Sequence, residues 1–167
     1  LILQRVQFDY YVLINGSYIL DKDFQEIGSY PILQDNVNDL VNFSKKHETG
    51  LMFHFGDATY IYNNFYPMYD FCKYCNVLDS LFYDPSQSYH LRHKAFNAVV
   101  LTKDKKLVDQ FMKTHPNLRN DLINVKTDGF CFDIFNADND KSKGIEMILE
   151  KTGFTWQDTC LLYTSPS

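Results

Sequence analysis

The stretch FCFDIFNADNDKSKGIEMILEKTG, residues 130–153, changes its period halfway along. In the first part Phe130, Phe132 and Ile134 alternate with Cys131, Asp133 and Phe135, the two-residue period of a strand. In the second part Ile145, Ile148, Leu149 and Thr152 recur at helical spacing, and Gly153 supplies the stop. Between them Asn136 to Asp140 reads NADND, which is turn chemistry and a possible cation ligand set. The helix opens on Lys141 and Lys143. A first turn normally favours acids, because a helix N-terminus carries partial positive charge. Lysine there suits an incoming anion, and helix N-termini commonly hold phosphate.

Working outward, residues 10–20, YYVLINGSYIL, read as strand, tight turn and strand, since Asn15-Gly16 readily takes positive φ. Asp21-Lys22-Asp23 reads as a turn. Residues 36–47 read as a helix with Val37, Leu40, Val41 and Ser44 on one face and Asp35 as its cap. LMFHFGDATYIY predicts a hairpin around Gly56-Asp57. Residues 65–82 predict an aromatic helix with Met68, Cys72, Cys75 and Leu78 in one stripe, and residues 83–94 a surface loop. AFNAVVLT predicts a buried strand, Asp104 caps a helix stopped by Pro116, and LINVKTDGFCFDIF gives a hairpin around Asp128-Gly129. Thr155 and Asp158 form a capping box for a last short helix. Helices mixed with hairpins predict an α+β fold with a largely antiparallel sheet and helices on one face.

The chain has 167 residues, 12 Tyr, 14 Phe and a net charge of −5. No Lys/Arg run exceeds three residues, and phosphate-backbone binding needs a concentrated basic face, so nucleic acid is not expected as a partner. No stretch approaches the ~18 consecutive apolar residues of a membrane span. The N-terminus lacks the order of a signal peptide, and four scattered cysteines do not make a disulfide framework, so a cytoplasmic protein is expected. The chain opens without Met and is expected to begin inside a longer protein. The closing LLYTSPS reads as a non-native tail.

Together YYVLINGSYILD and the stretch from FCFDIF to QDTC resemble one family over residues 8–160: haloacid-dehalogenase-superfamily phosphatases of subfamily IIB, the Cof type. Asn-Gly resembles the strand-turn-strand that opens the family's cap. Lys143-Gly144 resembles the pair that opens the helix where the chain leaves it. The resemblance implies a type IIB cap, flanked by short pieces of a Rossmann-like α/β core. It divides the chain into a core segment and hinge (1–22), a substrate-selecting cap (23–137), a return to the core (138–160) and the tail (161–167). It implies hydrolysis of a small phosphorylated metabolite, such as a sugar phosphate or phosphorylated cofactor, through an aspartyl-phosphate intermediate with Mg²⁺. By the resemblance Lys143 takes the catalytic lysine's place, and Asn15 and Gly144 are expected at the phosphate and substrate site. A phosphotransferase or a sucrose-phosphatase-like parent fits the same residues.

The family's DxDxT and GDxxND motifs do not occur in these residues, so the nucleophile and the Mg²⁺ ligands are absent and the chain is expected to be an inactive fragment. A rival reading is a non-catalytic α+β binding module with structural zinc at Cys72, Cys75, His90 and His93, since two thiolates and two imidazoles suit tetrahedral zinc. Against it, Cys72 and Cys75 share a helical face, where free Cys acts as a small apolar residue. His54, between two Phe, reads as a satisfied or surface histidine. The aromatics from Tyr60 to Tyr74 read as core on one face, with a possible binding surface on the other.

Overall fold

A computed structural model describes residues 8–123 and 128–160. The readings for residues 161–167, for the first seven residues and for residues 124–127, the end of the strand expected before Asp128-Gly129, lie outside the described residues.

Strands β1 (Tyr10–Leu13) and β2 (Tyr18–Asp21) pair antiparallel around a 3-10 turn, Ile14–Gly16, in which Asn15 and Gly16 both take positive φ. Asp21-Lys22-Asp23 is a turn: Asp21 Oδ1 accepts from the backbone N–H groups of Asp23 and Gln25, each at 2.9 Å. That Asx-type turn leads into β3 (Glu26–Ser29), a strand the sequence reading lacked, and completes a three-stranded sheet. Helix α1 (Gln34–His47) buries Val37, Leu40, Val41 and Ser44. Asp35 does not cap it. The N-cap position falls on Leu33, and Asp35 lies in the first turn, where its charge suits the helix dipole.

Strands β4 (Gly50–His54) and β5 (Thr59–Asn63) form the expected hairpin. The aromatic helix α2 (Phe65–Tyr74) is shorter than predicted. Asn76 at φ 56° breaks it, with Val77 N–H returning to the Cys72 carbonyl at 3.0 Å. Cys75 is therefore exposed rather than part of the apolar stripe. Residues expected to finish the helix instead form β6 (Leu81–Tyr83), parallel to β5. The predicted loop of 83–94 contains a 3-10 turn, Tyr89–Leu91, that buries His90. Next come β7 (Asn97–Thr102), α3 (Lys105–Lys113), β8 (Leu118–Ile123), β9 (Phe130–Asn136) and α4 (Lys141–Thr152). Asp104 caps α3 through Lys106 N–H at 2.9 Å, and Thr155 with Asp158 makes the capping box of a closing 3-10 turn.

The larger sheet has six strands in the order β6-β5-β4-β7-β9-β8, antiparallel throughout except for β5 with β6. Alternate residues of a strand face opposite sides. Leu51, Phe53, Ala98, Val100, Phe132 and Ile134 meet α1 and α3. Met52, Ile61, Val99 and Cys131 meet Met68, Phe71 and Cys72 of α2. The α+β class holds, but helices lie on both faces rather than one, because the strands are apolar on both sides in their central rows. Leu40 is fully buried, whereas Leu122 is 51% exposed. Leu40→Ala should lower unfolding free energy by about 2–5 kcal/mol in a urea titration, and Leu122→Ala by no more than about 0.5 kcal/mol.

Candidate functional site

The start of α4 meets the turn between β1 and β2, backbone against backbone. A Cβ added at Gly16, whose φ is +97°, would lie 2.4 Å from the carbonyl oxygen of Asp140. One added at Gly144 would lie 2.7 Å from Val12 Cγ1 and 3.3 Å from Gly16 Cα. Neither approach leaves room for a side chain. The two glycines, far apart in sequence, are thus neighbours because each lacks a Cβ. Asn15 and Lys143, beside them, are carried to the same corner of the molecule.

Asp140 is the N-cap of α4, accepting from Ser142 N–H at 2.8 Å and Ser142 Oγ–H at 2.9 Å. These hydrogen bonds, with Arg119 and Lys143 nearby, hold its carboxyl below the usual range. Lys143 is half-exposed, with its Nζ 3.6 Å from Asp138. Tyr30, Asn136, Asp138, Lys143, Glu146 and Glu150 line a hollow of about 370 Å³. Asn136 belongs to the turn rather than to a cation site: its Oδ1 accepts from Asp138 N–H, and its Nδ2 donates to Pro31 O, each at 2.9 Å. Asn139 is fully buried, with neither amide atom partnered.

Arg119 is a cation the sequence reading did not single out. It lies 4.6 Å over the Phe135 ring and 4.0 Å from Asp140. Its place follows from register, since Arg119 sits directly opposite Phe135 in the β8–β9 pair. The only sequence signal is that pairing, which the hairpin length alone does not fix.

The zinc reading does not survive. Cys72 is fully buried against Met52, with its thiol pushed up to about 11 by burial, while Cys75 is exposed. His90 Nδ1 is 3.1 Å from Tyr62 Oη, and the His93 ring stacks on Tyr89 at 3.8 Å. Among the described residues no three His, Cys, Asp or Glu side chains are grouped to hold a metal ion. Asp138 is paired with Lys143 and Asp140 caps α4, and neither groups with Glu146 or Glu150 into a metal-holding set among the described residues, so these residues do not fit a Mg²⁺ site either. No helix of the described residues is long and apolar enough to cross a membrane.

Residues 1–161 match the family model described as haloacid dehalogenase-like hydrolase. A hypothetical protein of Geobacillus kaustophilus HTA426 superposes with a TM-score of 0.77 at 18% identity, covering 94% of this chain and 58% of that one. A sugar phosphatase of haloacid dehalogenase subclass IIB gives a TM-score of 0.72 at 15% identity, covering 93% of this chain and 59% of that one. A haloacid dehalogenase-like hydrolase from B. subtilis gives 0.68 at 11% identity, covering 94% and 64%. At these identities the likeness is one of fold, and the chain spans little more than half the length of the first of them. No curated protein sequence matches it.

Gly16→Ala meets backbone atoms at a positive φ and should lower stability by about 1–3 kcal/mol. Gly153→Ala also sits at positive φ, +75°, but with nothing within 4 Å, so its urea midpoint should fall less than that of Gly16→Ala. His54 is partly buried and bonded to Thr59 Oγ1 at 2.7 Å, and burial lowers its pKa from the ordinary 6.5 to about 4. The folded state thus disfavours its charged form. This group's contribution is intact above pH 6.5 and is lost as pH falls from there toward about 4. His54→Gln should flatten the fall in urea midpoint over that window relative to the parent chain.

Proposed function

We propose, because the chain belongs to the haloacid dehalogenase-like hydrolase family, that it is the substrate-selecting part of a phosphatase acting on small phosphorylated metabolites. The observation that carries this reading is the apposition of the Asn15-Gly16 turn and the Lys143-Gly144 helix start. A helix N-terminus offers free N–H groups and partial positive charge to an anion. Lys143 adds a point charge from within the first turn. In this reading its ammonium binds the phosphoryl oxygens and stabilises the charge that gathers there in the transition state. Asn15 donates to the substrate at the edge of the same site. Gly144 lets the helix start approach the turn closely enough for both to act.

The reacting aspartates lie outside this chain. One attacks phosphorus as the bond to the leaving oxygen breaks, the other protonates that oxygen, and water then cleaves the aspartyl phosphate. The Mg²⁺ that such a parent uses would be held there too. The six-stranded sheet would act as a cap, closing over the site, excluding water and selecting the leaving group. The absence of DxDxT and GDxxND supports a chain that is inactive alone.

Expression of the full source reading frame tests this. The parent should release phosphate from sugar phosphates or phosphorylated cofactors, and Lys143→Ala within it should lose about 10²–10³ in kcat. The 167-residue chain should release none above a heat-killed control. A parent without phosphatase activity, or one indifferent to Lys143→Ala, would overturn the reading.

A further inference from the structure

Tyr66, Asp70 and Tyr74 recur at four-residue spacing and so share one face of α2. The two tyrosines are 78% and 62% exposed. This face is one wall of a groove of about 740 Å³, inside the range of about 300–1,000 Å³ typical of small-molecule sites. The other walls are the C-terminal end of α1, with Glu48 and Thr49, and the start of α3. Phe71 and Leu101 give it an apolar surface.

The charges are one-sided: four carboxylates, Glu48, Asp70, Asp104 and Asp128, against one lysine, Lys103, and the imidazole of His47. Two of these acids are committed. Asp128 pairs with Lys103 at 2.8 Å, and Asp104 caps α3. Glu48 and Asp70, on different walls, have no side-chain partner among the described residues. A separate observation concerns Thr49. It is 3% exposed and lines the groove, yet its hydroxyl has no hydrogen-bond partner. Buried hydroxyls are normally satisfied.

We propose that this groove binds an aliphatic di- or polyamine. Separate ammonium groups neutralise Glu48 and Asp70. The methylene chain between them lies on Phe71 and Leu101, and the faces of Tyr66 and Tyr74 attract the same cations. An ammonium N–H donates to the Thr49 hydroxyl. An anion would meet uncompensated carboxylates, and a monoamine would leave one of them unpaired.

Calorimetric titration of spermidine into the chain at low ionic strength tests it. Saturable binding at one site is expected, about fivefold weaker in Asp70→Asn and in Tyr66→Ala. Asp109→Asn removes the same charge from an exposed position of α3 outside the groove and should leave binding unchanged. The neutral probe 1,6-hexanediol should not bind. Absence of saturable binding, equal weakening by Asp109→Asn and Asp70→Asn, or equal binding of the diol would overturn the proposal. Equal weakening would mean mere attraction to an acidic protein.

Discussion

The contact between Gly16 and the start of α4 sets the arrangement of everything else. Van der Waals approach of one backbone to another demands that no Cβ intervene, and here two glycines meet that demand from opposite sides. Nearly the whole six-stranded sheet is the excursion the chain makes between these contacts. Such an excursion is tolerable because loop-closure entropy grows slowly, about 0.6 kcal/mol for each doubling of length. The excursion is also stitched where it leaves and returns: Asn136 Nδ2 donates to Pro31 O at 2.9 Å, and Tyr30 N–H to Ser17 O at 2.8 Å. The sheet therefore hangs from a closed corner, and Lys143 sits at that corner.

Lys143 is poorly placed if stability is the sole criterion. A cation in a first turn opposes the helix dipole by about 0.3–1 kcal/mol. Asp140 as cap and Asp138 at 3.6 Å offset it locally. A neutral or acidic residue at 143 would need no such offset. In the proposed phosphatase the positive end of the helix has an anion to face. The lysine that fits that proposal is Lys143, half-exposed beside Asp138, rather than Lys141, exposed and two residues earlier.

Most punctuation residues were legible in the sequence where a local interaction decides the structure, though Asp35 lies in the first turn of α1 rather than at its cap. Asn15-Gly16, Asp104, Gly153 and the Thr155–Asp158 box all act where they were read. What was not legible depends on partners distant along the chain. β3 is four residues long, and its Gly28 accommodates Met147 from α4. β6 exists through parallel pairing with β5, on the far side of α2. Asn76 ends α2 early, but aromatic residues surround that helix and hide its period. At the site, Lys143-Gly144 could be read because helix position and glycine are local signals. Arg119 could not, since its approach to Asp140 comes from strand register and a ring beneath it.

Register also gives the sheet two unlike halves on one face. Met52, Ile61, Val99 and Cys131 lie under α2. Further along the same face, His54 stands opposite Asn97, and Asp133 opposite Val99 and Asp121. Asn97 Nδ2 donates to Asp133 Oδ1 at 3.3 Å. Burial raises the pKa of Asp133 and lowers that of His54, so it works against charge on both groups. Row by row, the face passes from apolar under α2 to hydrogen-bonding groups and then to Arg119 beside the N-cap of α4. One sheet thus joins a packed core at one end to polar chemistry at the end where Lys143 waits, and the two-residue period of its strands keeps these groups on the same side.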